Sequence, residues 1–295
     1  MMLPDDVGVL LTQAGLDPAG VADLVVATLE EDLDGGVDVT TEATIPADQR
    51  ARGDIVARAG GVVAGLPVAE LVLRYCGGTD VSVERRSFDG TRVSRGDVVM
   101  TVDGPTTALL TAERTALNFL CHLSGVATVT RTWVDAIAHT DARVRDTRKT
   151  TPLMRALEKY AVRCGGGINH RMSLSDEALI KDNHVLAAGG VAEAFRLVRE
   201  RFPDVPVQVE VTRVDQIEAA LAAGATSILL DNMPTEAMVD AVALVNGRAS
   251  LEASGGLSVR VAVAVAETGV DFLAVGALTH SAPALDLAFD LRDRA

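Results

Sequence analysis

The sequence predicts an α/β fold: an α/β barrel preceded by a separate N-terminal α+β domain. Three observations carry this prediction. In the second half, apolar β-rich runs alternate with helical patterns, the mark of parallel strands joined by right-handed crossovers. The residues that close successive runs recur at a near-constant interval: Glu210 to Asp231 is 21 residues, Asp231 to Ser254 is 23 and Ser254 to Gly276 is 22. One strand, one helix and two short loops fill such an interval. The first half lacks this rhythm and shows short strand-like stretches between glycine turns.

Taken in order, a helix is predicted over 18–33, with strand-like stretches at 54–59, 81–86 and 98–102. Turns fall at Gly60-Gly61, Gly77-Gly78 and Asp89-Gly90. A long apolar helical pattern over 107–123 leads into the barrel. The barrel strands are predicted at 142–144, 178–180, 205–211, 227–230, 250–253 and 272–275, with helices at 154–162 and 259–267. Residues 283–294 read as a terminal helix. The domains are therefore 1–122, joined by a C-terminal helix over 281–295, and a barrel over 123–280.

Composition limits the function classes. Nearly half of the 295 residues are hydrophobic but only 3% are aromatic, so the core is expected to be Val, Ala and Leu. No apolar run is long enough to span a bilayer. The opening residues carry Asp5 and Asp6 and no basic residue, unlike a secretory signal. Cys76, Cys121 and Cys164 are far apart, form no zinc spacing and fit a reducing cytoplasm. A net charge of −14 argues against nonspecific binding to nucleic acid or an anionic membrane.

The charge is unevenly spread. Residues 143–184 hold nine Arg or Lys against five Asp or Glu, a balance of +4, which leaves −18 for the rest. Only three of the 27 basic residues are lysines, and Lys149, Lys159 and Lys181 lie within 33 residues. Lys is a compact point charge and Arg a planar fork, so the two serve different purposes at a site. Lys149 and Lys181 read as site residues. Lys159, inside the predicted helix over 154–162, reads as solvated surface.

Several common chemistries are absent. There is no P-loop, no G-x-G-x-x-G fingerprint, no G-x-S-x-G elbow and no zinc-spaced His/Cys set. The Asp-Asp and Thr-Gly pattern of the commoner phosphoribosyltransferase fold is missing as well. What remains lies at strand ends, which face the active site of an α/β barrel. Asp146-Thr-Arg-Lys-Thr-Thr-Pro152 brings Arg148 and Lys149 there. The glycine loop 165–171 delivers His170 and Arg171, and Lys181 ends the next strand. Arg forks bind carboxylates bidentately and Lys binds phosphate. Such a pocket suits a dicarboxylate, a pyrophosphate or both. Glu210 and Asp231 end consecutive strands and could hold Mg²⁺, bind ribose hydroxyls or stabilise a sugar cation. Ser254-Gly255-Gly256 precedes a helix start, a place where backbone N–H groups bind phosphate.

Six segments in register, namely Asp-Thr-Arg-Lys-Thr-Thr-Pro, Gly-Gly-Gly-Ile-Asn-His-Arg, Ile-Lys-Asp-Asn-His, Leu-Leu-Asp-Asn-Met, Glu-Ala-Ser-Gly-Gly and Ala-Val-Gly-Ala-Leu-Thr-His, resemble quinolinate phosphoribosyltransferases. The likeness runs from about residue 20 to about 290 and includes Glu30–Leu33, Asp38–Thr41 and Leu110–Arg114. It implies an α/β fold made of an incomplete TIM-like α/β barrel with an N-terminal α+β sandwich domain, and transfer of phosphoribose from phosphoribosyl pyrophosphate to quinolinate with decarboxylation. It also implies Mg²⁺ and a homodimer, sometimes of higher order, with shared active sites. Carried over by motif, Thr147, Arg148, His170, Arg171 and Lys181 would surround quinolinate, and Arg114 would reach in from a neighbouring subunit. Lys149, Glu210 and Asp231 would be catalytic, with Lys149 on the dicarboxylate or the pyrophosphate and Glu210 and Asp231 by the ribose and Mg²⁺. Ser254, Gly255 and Gly256, with Val275, Gly276 and Ala277, would hold the 5′-phosphate. Thr212 departs from the pattern, since many relatives carry an acid there, and the Gly35-Gly36 turn also varies. Three rivals remain at this level: a nicotinate phosphoribosyltransferase, a noncatalytic phospho-ligand or oxyanion binder, and a Schiff-base aldolase using Lys181.

Overall fold

A computed structural model of the chain describes residues 4–292. The elements in chain order are α1 (Asp5–Gln13), α2 (Pro18–Leu33), α3 (Val39–Thr44), β1 (Arg50–Ala57), β2 (Gly61–Val62), α4 (Leu66–Gly77), β3 (Ser82–Arg85), β4 (Arg92–Val93), β5 (Val98–Pro105) and α5 (Thr106–Ala136). There follow β6 (Arg143–Arg145), α6 (Arg155–Cys164), β7 (Ala178–Ile180), α7 (Asp182–Ala188), α8 (Val191–Arg201), β8 (Val207–Val211), α9 (Ile217–Ala222) and β9 (Ser227–Asp231). The chain continues through α10 (Thr235–Val245), β10 (Ser250–Ser254), α11 (Val259–Ala266), β11 (Phe272–Ala274), α12 (Ala277–His280) and β12 (Leu287–Arg292). Two compact units result. Of the described residues, the first takes those up to Val129, residues 156–166 and those from Ala282; the second takes 130–155 and 167–281.

In the first unit, an antiparallel sheet of order β12-β1-β5-β3 accompanies the helices α1, α2 and α4. Local chemistry sets the helix ends. Asp17 caps α2 by accepting the N–H groups of Ala19 and Gly20, with Pro18 at the first position. Asp38 caps α3 through the Thr41 N–H and hydroxyl. The start of α4 is capped from a distance. Asp89 accepts the Gly65 and Leu66 N–H groups at 2.9 and 3.1 Å and the Tyr160 hydroxyl at 2.6 Å. Burial holds the Asp89 carboxyl above the usual range, and these bonds oppose that shift.

Two expectations are corrected here. The segment predicted as a C-terminal helix over 281–295 contains a strand, β12, paired antiparallel with β1 from Arg52↔Arg292 to Ala57↔Leu287; residues 293–295 lie outside the described residues. Its sequence has a period of two. Leu285, Leu287, Phe289 and Leu291 alternate with Asp286, Ala288, Asp290 and Arg292, and Leu285 and Leu287 are buried. Pairing with β1 overrides the helix propensity of Leu, Ala and Arg. Ion pairs join the two strands at Arg292–Asp54, and Asp290 also pairs with Arg58. The second correction is Lys159, which is wholly buried and not solvated. Residues 157–162 of α6 are all buried, so a Lys in that run has no outward face to occupy.

The second unit is a six-stranded sheet of order β6-β11-β10-β9-β8-β7, parallel throughout. Its edges β6 and β7 do not pair among the described residues, so the α/β barrel is incomplete. Val209, Ile228, Ala253 and Leu273 are fully buried and form the strand core. Parallel order turns every strand's C-terminal end the same way, and the polar residues predicted there share one rim. No single helix among the described residues is long and apolar enough to cross a membrane.

The β1–β12 pairing can be tested at one contact. A Cβ placed on Gly53 would collide with the Phe289 ring. Gly53→Ala and Phe289→Ala are each expected to destabilise by about 1–2 kcal/mol. Together they should cost less than their sum, because the alanine fills the space the ring leaves. Urea denaturation of the four proteins measures this.

Candidate active site

The cavity at the strand ends has a volume of about 350 Å³. Thr147, Arg148 and Lys149 follow β6, and His170 and Arg171 come from the loop beyond α6. Lys181 ends β7, Glu210 is on β8, Asp231 ends β9 and Ser254 ends β10; all of these line the cavity. Leu179, Leu229 and Ala274 supply an apolar wall, and Glu252 also lines it.

Asp146 builds the cationic side. It is fully buried at the end of β6. It accepts the His170 N–H at 2.8 Å and the Asn169 side-chain amide at 2.5 Å. Ile168 bridges Arg145 in parallel, so the glycine loop is pinned to the sheet edge. Arg148 and Arg171 are thereby brought close. Burial, with Arg148 next, lowers the affinity of the Arg171 guanidinium for its proton, while Glu177 and Asp176 oppose this. The Arg148 Nε is buried and has no hydrogen-bond partner among the described residues. Unsatisfied buried donors beside a second cation make a site for an anion with several acceptor oxygens.

The acidic side is also in place. Glu210 accepts the Lys181 ammonium at 2.8 Å, with side chains 11% and 47% exposed respectively. Lys181 is thus engaged within the protein, and a ligand carboxylate must share it or displace Glu210. The Lys181 N–H donates to His184 Nδ1 at the head of α7. Asp231 accepts from Asn232 Nδ2 at 2.9 Å. Asn232 has a left-handed backbone and donates its N–H to the Ser254 carbonyl. A side chain at Gly255 would strike Asn232, which accounts for glycine at that turn. Gly276 lies against the Lys149 stem, where an added Cβ would be 3.0 Å from Cδ. The Thr279 hydroxyl donates to the Lys149 carbonyl.

Not all expected residues meet. Gly255, Gly256, Val275, Gly276 and Ala277 do not line the cavity; they lie in the turns after β10 and β11, next to Ser254 and Ala274, which do. Arg114 belongs to α5 of the first unit; its side chain is 67% exposed and it lies 4.0 Å from Glu113. The sequence reading missed the floor. Glu252 is 1% exposed and pairs with Arg145 at 2.6 Å, and Gln208 is fully buried. The signal was present: Val207-Gln-Val and Leu251-Glu-Ala each set one polar residue between apolar neighbours, where it must have a buried partner.

Two family models match the chain: "Quinolinate phosphoribosyl transferase, N-terminal domain" over residues 38–124 and "Quinolinate phosphoribosyl transferase, C-terminal domain" over residues 126–290. The chain belongs to the quinolinate phosphoribosyltransferase family. Among family members it is 52% identical over 273 residues to nicotinate-nucleotide pyrophosphorylase (carboxylating) of Mycobacterium leprae (strain TN), covering 91% of this chain and 96% of the relative. Among solved family structures, NadC from Streptococcus pyogenes matches with a TM-score of 0.89 at 40% identity, covering 94% and 97% of the two chains. The nicotinate-nucleotide pyrophosphorylase from Francisella tularensis matches with 0.88 at 36% identity, covering 93% and 96%. Human nicotinic acid phosphoribosyltransferase, at 13% identity and a TM-score of 0.61, shares the fold alone.

Asp146 gives a test of how the site is assembled. Asp146→Ala leaves the His170 N–H and the Asn169 amide without their acceptor. A loss of about 2–4 kcal/mol in stability is expected from two such orphaned donors. Hydrogen exchange should report it as faster exchange at His170.

Proposed function

We propose that the chain transfers the phosphoribosyl group of phosphoribosyl pyrophosphate to the ring nitrogen of quinolinate and releases carbon dioxide, giving nicotinate mononucleotide and pyrophosphate. One observation carries the reading: Arg148, Lys149, Arg171 and Lys181 line the same small cavity as Glu210 and Asp231. A nicotinate-specific enzyme has one carboxylate to hold and needs fewer cations. An aldolase would need Lys181 neutral and free to attack, whereas it is ion-paired to Glu210.

The pyridine nitrogen is itself the nucleophile, so no Ser or Cys nucleophile is required. Arg148, Arg171 and Lys181 hold the two quinolinate carboxylates and orient the ring nitrogen. Thr147 and His170 border them. Departure of pyrophosphate leaves positive charge on the ribose, which Glu210 and Asp231 stabilise. Lys149 neutralises the leaving pyrophosphate. The positive ring nitrogen then stabilises the electron pair left on the adjacent carbon when its bond to the carboxylate breaks; carbon dioxide leaves, and that carbon takes a proton from water to give nicotinate mononucleotide. Ser254, Gly255 and Gly256, with Val275, Gly276 and Ala277, form the phosphate end of the site.

Glu210 and Asp231 fit Mg²⁺ in a particular way. Among the described residues no cluster of three or more ligating side chains exists. Two carboxylates suit an ion that keeps water and takes substrate oxygens as its other ligands. When bound, Mg²⁺ would supply charge neutralisation at the pyrophosphate. We further propose a homodimer in which Arg114, largely exposed in one chain, completes the site of the next. A reducing cytoplasm agrees with three free cysteines.

The direct test is to mix the protein with quinolinate, the sugar donor and Mg²⁺ and to look for nicotinate mononucleotide; nicotinate replacing quinolinate should give no comparable rate. Arg148→Ala and Arg171→Ala are each expected to lower kcat/KM at least about a hundredfold, roughly 2.7 kcal/mol, with folding retained by circular dichroism. Normal kinetics in both would remove the cationic pocket from the reaction. In Glu210→Gln and Asp231→Asn, kcat should fall more than quinolinate affinity. A change in affinity alone would place these carboxylates away from the ribose.

A further inference from the structure

We propose that Glu252 is a positioning residue for quinolinate binding, acting through His170 on the backbone of Arg171. The proposal rests on the function proposed above. Glu252, Gln208 and His170 are 1%, 0% and 7% exposed, so water does not set the direction of their hydrogen bonds. A carboxylate only accepts, and Glu252 fixes the rest of the chain. Its Oε2 takes the Arg145 Nη1 at 2.6 Å and the Gln208 Nε2 at 3.3 Å. Gln208 Nε2 also donates to the Ser227 hydroxyl at 3.2 Å. With its donors committed, Gln208 turns its Oε1 to His170 Nε2 at 3.1 Å. Glu252 Oε1 lies 3.4 Å from the same nitrogen.

Two oxygens facing Nε2 require a proton on it. A neutral imidazole then has a bare Nδ1, and that nitrogen accepts the Arg171 N–H at 2.7 Å. Glu177 Oε2 is 3.6 Å from Nδ1, too far for a hydrogen bond. The tautomer of His170 therefore follows from Glu252, directly and through Gln208, and the peptide that carries Arg171 follows from the tautomer. Both ring nitrogens are engaged within the protein, so His170 acts on the ligand by holding Arg171. Glutamine at position 252 could donate as well as accept, and the direction of the chain would be lost.

Nitrogen-15 NMR of His170 in the unliganded wild type at pH 7 should show Nε2 protonated and Nδ1 bare; a proton on Nδ1 overturns the proposal. In Glu252→Gln this tautomer should be lost. Its KM for quinolinate should rise about tenfold or more, the usual cost of an outer-shell partner, while KM for the sugar donor stays within about twofold. Glu252→Asp, still acceptor-only, should keep the tautomer. An unchanged quinolinate KM in Glu252→Gln, or equal loss of the tautomer in both variants, refutes it. A wild type inert toward quinolinate would instead refute the functional reading, and the tautomer measurement would still stand on its own.

Discussion

The second unit is organised around the cost of holding two guanidinium groups close together in a half-buried place. Arg148 and Arg171 repel each other, and burial adds to the strain, as the lowered proton affinity of Arg171 shows. Locally, the Arg171 Nη1 donates to the Glu177 carbonyl at 2.8 Å, and the Glu177 and Asp176 carboxylates offset part of the repulsion. The arrangement persists because Asp146 grips the backbone of the loop that carries Arg171 and because six parallel strands fix where each strand end falls. The two guanidinium groups are thus held at a strand-end rim by the fold and are offset only in part by neighbouring carboxylates.

Much of this was legible in the sequence. The interval between Glu210, Asp231, Ser254 and Gly276 gave the parallel strands, since a strand–helix unit has a narrow range of lengths. The lysines at 149 and 181 marked the site, because a chain that otherwise writes positive charge as Arg shows a change of requirement where it uses Lys. The misreadings have physical causes. The segment at 287–292 has a helix-compatible composition, and its period of two matters only once β1 offers a partner. Lys159 was misplaced because the face a helical residue presents depends on what packs around that helix. Glu252 and Gln208 were overlooked because a polar residue set between apolar neighbours signals the need for a buried partner without saying which; the partners lie on other elements.

The first unit relies on a different device. Asp89 caps α4 from a residue far along the chain and is itself held by Tyr160. Glu70, on the same helix, is buried between Arg74 and Arg85 at 2.7 and 3.0 Å, and burial raises its carboxyl above the usual range. Buried charges of this kind add little net stability but penalise any packing that separates the partners. Burial likewise pushes the Cys76 thiol to about 11 and the Cys164 thiol to about 12, so at neutral pH neither presents much thiolate.

The Lys181–Glu210 contact has one more consequence. An acid of the protein already holds the Lys181 ammonium, which on the proposed function a ligand carboxylate would also seek. Any newcomer meets an intramolecular competitor whose effective concentration is fixed by the fold and cannot be diluted away. On the proposed function, weakly charged molecules would lose that contest, while a doubly charged one that also engages both arginines would win it. The pair thereby sets an admission threshold, and discrimination begins before any chemistry does.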